Sequence, residues 1–436
     1  MAHIIPDFLC YNIKMVQRYS DLLEKSMDDS RLRTLHLLAD HAWALQMPIY
    51  LVGGVIRDLF LERPVVDFDL VIEGDGVKFA KHLEKSIGGE IVIHSAFGTA
   101  TWQPADSPLS FDLITARSET YAQPGTLPTI KPSTIDDDLR RRDFTINAMA
   151  LRLDGENFGE LYDPLDGQKD LDSKTIRVLH DKSFVDDPTR IFRAVRYAAR
   201  YGFELDSATQ TLINPEALSV LAGLSGERLR HEFDLIFEEE HSLAMIADLE
   251  VFGILSTVHK DLQFSDYKPA LEFHQTEKFA DLTIPDILSF QQTLAWILWL
   301  IRLPVSSIEA IANKLAFPAV LTNSAIAASK IYTTPYPAET KKSEITFQLE
   351  AFPVLSVYAA RIGASDEIVQ NILTSFLLEW RKVKPYTTGN DLIARGLEPG
   401  PKFKKILTHL RAAWLDGEVA SEAEEAKLLE QLIAGN

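Results

Sequence analysis

The chain has a single cysteine, Cys10, among 436 residues. That excludes a disulfide framework and any zinc site built on cysteine, and it fits a reducing compartment. Long apolar runs are missing too. The longest, 287 to 303, carries Gln291, Gln292 and Arg302. It is short for a membrane span and reads as a buried helix, begun near Pro285-Asp286 and stopped by Pro304. The first residues, Met1 to Asp7, lack a basic stretch leading into an apolar core. No secretory leader is therefore expected, and the chain reads as cytoplasmic with no membrane partner. The histidines never fall at metal-ligand spacing. Basic charge is scarce: 44 Lys and Arg face 63 Asp and Glu, for a net charge of −19. Such a surface repels polyanions at long range, so a nucleic-acid partner requires the basic side chains to be gathered. They cluster at Arg140-Arg141-Arg142, from Arg190 to Arg200 and from Lys402 to Arg411.

What is present suits a globular protein. A 46% hydrophobic, 25% charged composition allows a buried core, and the length suggests roughly two to four domains. Ile49-Tyr50-Leu51-Val52 reads as a short buried strand, with Gly53-Gly54 as a turn into a helix from about Val55. Two glycines let backbone approach a ligand, and N–H groups at a helix start favour anions such as phosphate. Val65 to Ile72 is a second strand-like run, broken only by Asp67 and Asp69. Residues two apart on a strand share a face. Paired carboxylates there suit Mg²⁺, a hard cation usually completed by substrate phosphates. Either feature alone is also an ordinary turn or a solvated strand face. Charge inside an apolar strand is costly, however, and the combination favours a triphosphate with its metal.

These residues, Gly53, Gly54, Arg57 and Asp58 followed by Asp67 and Asp69, resemble the signature of the polymerase-beta-like nucleotidyltransferases. More narrowly, they are similar to the bacterial-type (class II) tRNA nucleotidyltransferase and poly(A) polymerase family. On the strand-like run Leu109 to Thr115, Asp112 is either a third carboxylate for a metal or a hydroxyl proton, or a satisfied strand residue. The segment from Arg117 through Pro124-Gly125, Pro128 and Pro132 is loop-like. It resembles the family's flexible loop, which relatives adding only the two cytidines largely lack. Tyr162 to Gly167 and Ile176 to Val178 are expected to form the last hairpin of the head.

Arg141-Arg142-Asp143-Phe144-Thr145-Ile146-Asn147 places a basic pair, a carboxylate and an amide before an apolar run. Arginines can fork onto phosphate oxygens, and a carboxylate can accept from a ribose 2′-OH. The string is highly specific to the same family, which implies that Arg141, Arg142, Asp143 and Asn147 line the nucleotide. Asp186-Asp187-Pro188-Thr189-Arg190 then opens a helix that ends near Gly202. Asp187 and Arg190, three apart, are expected on one helix face. A carboxylate accepts the amino group that cytosine and adenine both offer, and a guanidinium donates to the adjacent ring nitrogen. Uracil and guanine present a carbonyl where that amino group should be. The same residues also fit a capped helix with a solvated basic face. In the family this is the base-selecting motif, with Asp186 here standing in for the usual Glu.

The resemblance implies an α+β chain with a polymerase-beta-like head, residues 1–178, built on a small mixed β-sheet. A helical neck (179–245), body (246–375) and RNA-binding tail (376–436) follow. It implies addition of CCA to a tRNA 3′ end from CTP and ATP with Mg²⁺, without a nucleic-acid template. Addition of A alone, or of poly(A), keeps the same chemistry, and a non-catalytic RNA-binding protein is the rival of another class. Asp67, Asp69 and Asp112 would be catalytic, the first two holding metal. Gly53, Gly54, Arg57, Arg141, Arg142, Asp143, Asn147, Asp187 and Arg190 would bind nucleotide. Arg193, Arg228 and Glu232 would support them. Lys402, Lys404, Lys405 and Arg411, behind Gly396-Leu397-Glu398-Pro399-Gly400-Pro401, would meet RNA or simply stabilise a helical turn.

Overall fold

A computed structural model describes residues 18–65, 68–94, 98–105, 107–126, 128–267 and 286–434. The chain divides into two compact units after Gly223. The boundary falls inside the stretch 179–245 expected to form one neck.

The first unit is built on a mixed sheet. Its strands are β1 (Ile49–Val52), β2 (Asp69–Ile72), β3 (Glu90–His94), β4 (Thr99–Gln103), β5 (Phe111–Thr115), β8 (Ala150–Arg152) and β9 (Glu160–Tyr162). They lie in the order β3-β4-β5-β2-β1-β8-β9. Only the β2–β5 pair is parallel. All four residues of β1 are buried, as an apolar strand in mid-sheet requires. Helices α1 (Ser20–Ser26) and α2 (Asp29–Ala44) precede the sheet, and α3 (Gly54–Phe60) and α4 (Gly76–Ile87) follow β1 and β2. α2 and α4 coincide with the apolar periodicity, and each is capped by an aspartate, Asp28 or Asp75. α4 buries Phe79 and Leu83 against β3 to β5, each contributing roughly 1.5–3 kcal/mol. The other face, at Tyr50, Val52 and Val71, packs Ile135 and Leu139 of α5 (Ile135–Arg140).

Three expectations change. β2 begins at Asp69, not Val65, and Val66 and Asp67 lie outside the described residues. The stretch read as a loop forms the hairpin β6 (Arg117–Thr120) and β7 (Thr129–Pro132), with Arg117 opposite Pro132. Proline is tolerated there because this two-stranded ribbon leaves its outer edge unpaired. The expected last hairpin does not form. β8 pairs with β9, and β10 (Thr175–Ile176), after α6 (Gly167–Asp172), pairs in parallel with β11 (Glu204–Leu205). α8 (Thr189–Tyr201) packs on β10 and β11, and α7 (Ser183–Asp186) packs on α8.

The second unit is helical throughout its described residues. The expected buried helix runs Phe290–Leu300, opened by a capping box between Ser289 and Gln292, with Thr293 to Leu300 buried. Around it pack Gly226–Phe237, Ala319–Thr333 and Val354–Gly363, with Val305–Lys314 packed on Ala319–Thr333. At the C-terminal end, Leu392, Ile406, Leu410 and Leu429 close a small core between Gly389–Ala394, Pro401–Asp416 and Glu422–Ala434. No described helix is long and apolar enough to cross a membrane.

Candidate active site

The site starts from the turn after β1. Gly53 has φ +74°, a conformation that strains L residues. A Cβ there would stand 2.6 Å from the Nη1 of Arg142, so the missing side chain lets that guanidinium lie against the turn. Gly54 opens α3, and one helical turn on, Arg57 is only 6% exposed. Its Nε and Nη2 donate to Asp58 at 2.9 and 3.0 Å, and its Nη1 donates to the Asn147 Oδ1 at 2.7 Å.

Asn147 passes the connection on, its Nδ2 donating to the Asp143 Oδ1 at 3.0 Å. Asp143 also accepts from the Phe144 N–H at 2.8 Å and from Arg193 Nε and Nη2 at 2.8 and 2.7 Å. Burial would raise this carboxyl, but Arg193 and the amide donors outweigh it and hold Asp143 below the usual carboxylate range. The chain Asp58–Arg57–Asn147–Asp143–Arg193 therefore joins α3 to α8 by alternating donors and acceptors. A buried polar network of this kind is stable only when each member is satisfied.

Arg141 and Arg142 are oriented by residues outside the motifs. Asp138, fully buried on α5, accepts from the Arg141 Nη2 at 2.8 Å and from the Arg142 Nη2 at 3.0 Å. Its signal in the sequence is its place three and four residues before the pair. Glu119, on the β6–β7 hairpin, pairs with the Arg141 Nη1 at 2.9 Å. Nothing local in the sequence announces that contact.

Asp69, the first residue of β2, lies beside Asp112 in parallel register on β5. Equivalent positions on adjacent strands share a face, so the two carboxylates sit side by side. Asp112 is exposed and accepts from the Thr101 Oγ1 at 2.6 Å. Among the described residues, no group of three acidic, histidine or cysteine side chains could hold a metal ion. The donor set still fits a hard cation: Asp69 and Asp112 supply carboxylate oxygens, and phosphates commonly supply the rest. The companion carboxylate expected at Asp67 lies outside the described residues.

Asp187 and Arg190 are brought to one cleft but not to one helix face. Asp187 is extended (φ −140°, ψ 96°) and α8 starts two residues later. Proline disfavours helical geometry in the residue before it, and Pro188 has that effect here. The Asp187 Oδ1 accepts from the Thr189 N–H and Oγ1 at 3.2 and 2.8 Å. Arg190, buried, donates from Nη1 to the Ser183 Oγ at 2.8 Å and from Nη2 to the Arg141 carbonyl at 3.0 Å. Tyr121 stands alongside. Burial pushes its phenol up to about 12, against Arg190 and with help from Glu119 and Asp187. It therefore stays protonated and donates to the Glu119 Oε2 at 3.2 Å.

One cleft of ≈ 660 Å³ gathers Gly54, Arg57, Asp69, Arg141, Arg142, Asp143, Asn147, Asp187, Arg190 and Arg193. Glu119, Tyr121, Tyr197 and Tyr201 line it without belonging to a motif singled out in the sequence. Only the repeated Arg and Tyr of α8 hint at the last two. Gly53 stands behind Gly54 at its turn, and Asp112 beside Asp69 on the next strand. The remaining candidates belong to the second unit. Arg228 receives the Ser225 cap on its N–H, and Glu232 is buried. Lys402, Lys404 and Lys405 are exposed on the helix Pro401–Asp416, with Lys404 and Lys405 lining a shallow hollow. Arg411 turns elsewhere, pairing with Glu350 at 2.9 Å and donating to the Val383 carbonyl at 2.8 Å.

Comparison with known proteins agrees with this geometry. Residues 49–177 match the poly A polymerase head domain, and 202–265 match the probable RNA and SrmB-binding site of polymerase A. An A-adding tRNA nucleotidyltransferase of Halalkalibacterium halodurans is 32% identical over 93% of this chain and 93% of its own. A solved CCA-adding enzyme in an apo form superposes with a TM-score of 0.81 at 29% identity, covering 96% of this chain and 99% of the other. The Thermotoga maritima CCA-adding enzyme complexed with tRNA gives 0.72 at 28% identity, over 96% and 98%.

Proposed function

From the premise that the chain belongs to the tRNA nucleotidyltransferase family, we propose that it adds CCA to a tRNA 3′ end, using CTP and ATP without a nucleic-acid template. The observation that carries this reading is the convergence of Asp187 and Arg190 on the cleft that also holds Asp69 and the Arg141–Arg142 pair. Asp187 accepts the exocyclic amino group of cytosine or adenine, and Arg190 donates to the neighbouring ring nitrogen. A uracil or guanine carbonyl would face a carboxylate with no proton to give. Leaving buried groups so mismatched costs roughly 1–3 kcal/mol each. Arg141 and Arg142 receive phosphate oxygens beside the Gly53 turn, while Asp143 and Asn147 hold the ribose side of the nucleotide. Mg²⁺ held by Asp67 and Asp69, with Asp112 beside them, would supply positive charge for the attacking hydroxyl and the departing pyrophosphate. Arg193 braces the site. The exposed Lys402, Lys404 and Lys405 give a tail surface for RNA phosphates. The division into head, neck, body and tail and the cytoplasmic setting belong to the same proposal.

A second reading, addition of the terminal A alone, is favoured by the 32% identity to the A-adding relative along nearly the whole chain. The two are separated by incubating the protein with tRNAs ending before the first C, after CC, or complete, with CTP and ATP supplied separately. CCA addition requires CMP incorporation into the shortest primer. Incorporation of AMP only, and only after CC, selects the second reading. Equal use of UTP would overturn the base-selecting role of Asp187 and Arg190.

A further inference from the structure

An acidic protein that acts on a polyanion has to concentrate its basic groups, and one rim of the cleft does so with rings between them. Arg57 lies over Tyr197 and Tyr201 at 5.3 and 4.7 Å from the ring centroids. Arg63 covers Tyr201 at 4.7 Å, and Arg193 and Arg200 approach Tyr197 at 5.3 and 5.7 Å. Four guanidiniums thus share two rings. Arg57 and Arg193 are committed to Asp58, Asn147 and Asp143. Arg63 and Arg200 are exposed.

Both exposed arginines are held in place. The Arg63 N–H donates to the Asp58 carbonyl at 2.9 Å just beyond α3, and Arg200 sits in the last turn of α8, where the helix dipole favours a cation. Stacking on a ring fixes the plane of a guanidinium, and the Arg63 Nη2 donates to the Arg200 carbonyl at 3.5 Å, which sets the two arginines beside one another. The Tyr197 hydroxyl accepts from Arg193 at 2.9 Å, and the Tyr201 hydroxyl donates to Asp58 at 3.4 Å, so the rings are fixed as well. Tyr197, Arg200 and Tyr201 line the same cleft as Asp69.

We infer that Arg63 and Arg200 form a subsite for the phosphodiester backbone of the single-stranded RNA end being extended, with Tyr197 and Tyr201 as the platform beneath them. This inference rests on the proposed transferase reading. Basic side chains interleaved with aromatic rings suit single-stranded nucleic acid and do not discriminate its bases. The triphosphate of an incoming nucleotide offers the same phosphate chemistry. Its place, however, is beside the Gly53 turn, where Arg142 is set deeper in the cleft.

The test is the double variant Arg63→Gln/Arg200→Gln, checked for an unchanged melting temperature. Equilibrium binding of a tRNA lacking CCA should weaken about tenfold, and the slope of log affinity against log salt should shrink by about 1.4, roughly 0.7 per single-strand phosphate contact. KM for CTP and ATP should stay within about twofold, while KM for the tRNA rises about tenfold. The Arg→Lys pair, which keeps the charge, should retain most of the salt slope. Unchanged tRNA affinity and slope would overturn the subsite, as would a loss confined to the nucleotide KM, which would assign these groups to the triphosphate. A wild-type protein that binds the tRNA through these arginines but transfers nothing refutes the transferase reading and leaves the subsite standing.

Discussion

Arg193 meets Asp143 through a hydrogen bond of 2.8 Å from Nε and an ion-pair contact of 2.7 Å from Nη2 across fifty residues of sequence. This contact ties α8 to the motif beside the Gly53 turn. Asp143 has water on almost no side, so its charge depends on that partner. Arg193→Ala should cost about 1–3 kcal/mol, since the Arg193 side chain is 37% exposed and screened by water and since Asn147 and the Phe144 N–H still donate to Asp143. The pH dependence has a definite sign. Asp143 is held below its ordinary 3.8 in the folded state, so the pair stabilises the fold above that value and is lost as the pH falls through the folded one. Urea unfolding should therefore show its full gap between wild type and variant at pH 7, narrowing only as the pH falls below about 3.8. A gap that stays constant over that range would show that Asp143 is not the group responsible.

The Gly53 turn gives a second expectation. Alanine at φ +74° costs roughly 1–3 kcal/mol, and its Cβ would push the Arg142 guanidinium out of its seat. Gly53→Ala should lower the melting temperature and raise KM for CTP and ATP about tenfold, the equivalent of one charge-assisted contact of about 1.4 kcal/mol. Arg142→Ala should raise the same KM, with a stability loss of its own of about 1–3 kcal/mol because the buried Asp138 loses one of its two arginine donors. If Gly53→Ala melts early yet binds nucleotide normally, the turn is structural only.

Asp187→Ala removes the acceptor proposed for the amino group but leaves Arg190 anchored on Ser183 and the Arg141 carbonyl. Transfer should persist at a reduced rate with poorer base choice, so that the ratio of kcat/KM for CTP over UTP falls by about tenfold or more, the worth of one unmatched buried group. A reduced rate with the CTP-over-UTP ratio unchanged would show that Asp187 serves only to cap α8.

Much of the site is legible locally. The buried strand Ile49–Val52, the glycine turn and the string from Arg141 to Asn147 each announce themselves within a few residues, because hydrophobic period, backbone freedom and charge pattern are local properties. The expected face shared by Asp187 and Arg190 failed for an equally local reason, the effect of Pro188 on the residue before it. The β6–β7 hairpin was hidden by its own composition, since Pro124-Gly125, Pro128 and Pro132 read as a loop. A two-stranded ribbon with an open edge tolerates them. Glu119 on Arg141 and Tyr201 on Arg63 join residues 22 and 138 positions apart, which no window along the chain can anticipate. The spacing of Asp67 and Asp69 suggested a metal pair, but Asp67 lies outside the described residues, and the partner the structure describes for Asp69 is Asp112, set beside it by strand register.

In the second unit, Asp234 is buried beneath Trp296, whose indole Nε1 donates to it at 2.7 Å, and Arg230 approaches only to 3.6 Å. Burial raises this carboxyl to about 6, the indole and Arg230 offsetting only part of the cost. A folded value above the unfolded one means that the neutral acid is the form the fold prefers. The stabilisation is complete below about pH 4 and is lost as the pH rises through about 6. Asp234→Asn keeps an acceptor for the indole and cannot ionise. It should match wild type near pH 4 and exceed it above pH 7 by up to about 3 kcal/mol, from roughly two pKa units at 1.36 kcal/mol each. The lost attraction to Arg230 trims that gain. Denaturation curves at pH 4, 6 and 8 decide the matter: a variant less stable than wild type at pH 8 would mean that the Arg230 pair outweighs burial and that the carboxylate is held charged.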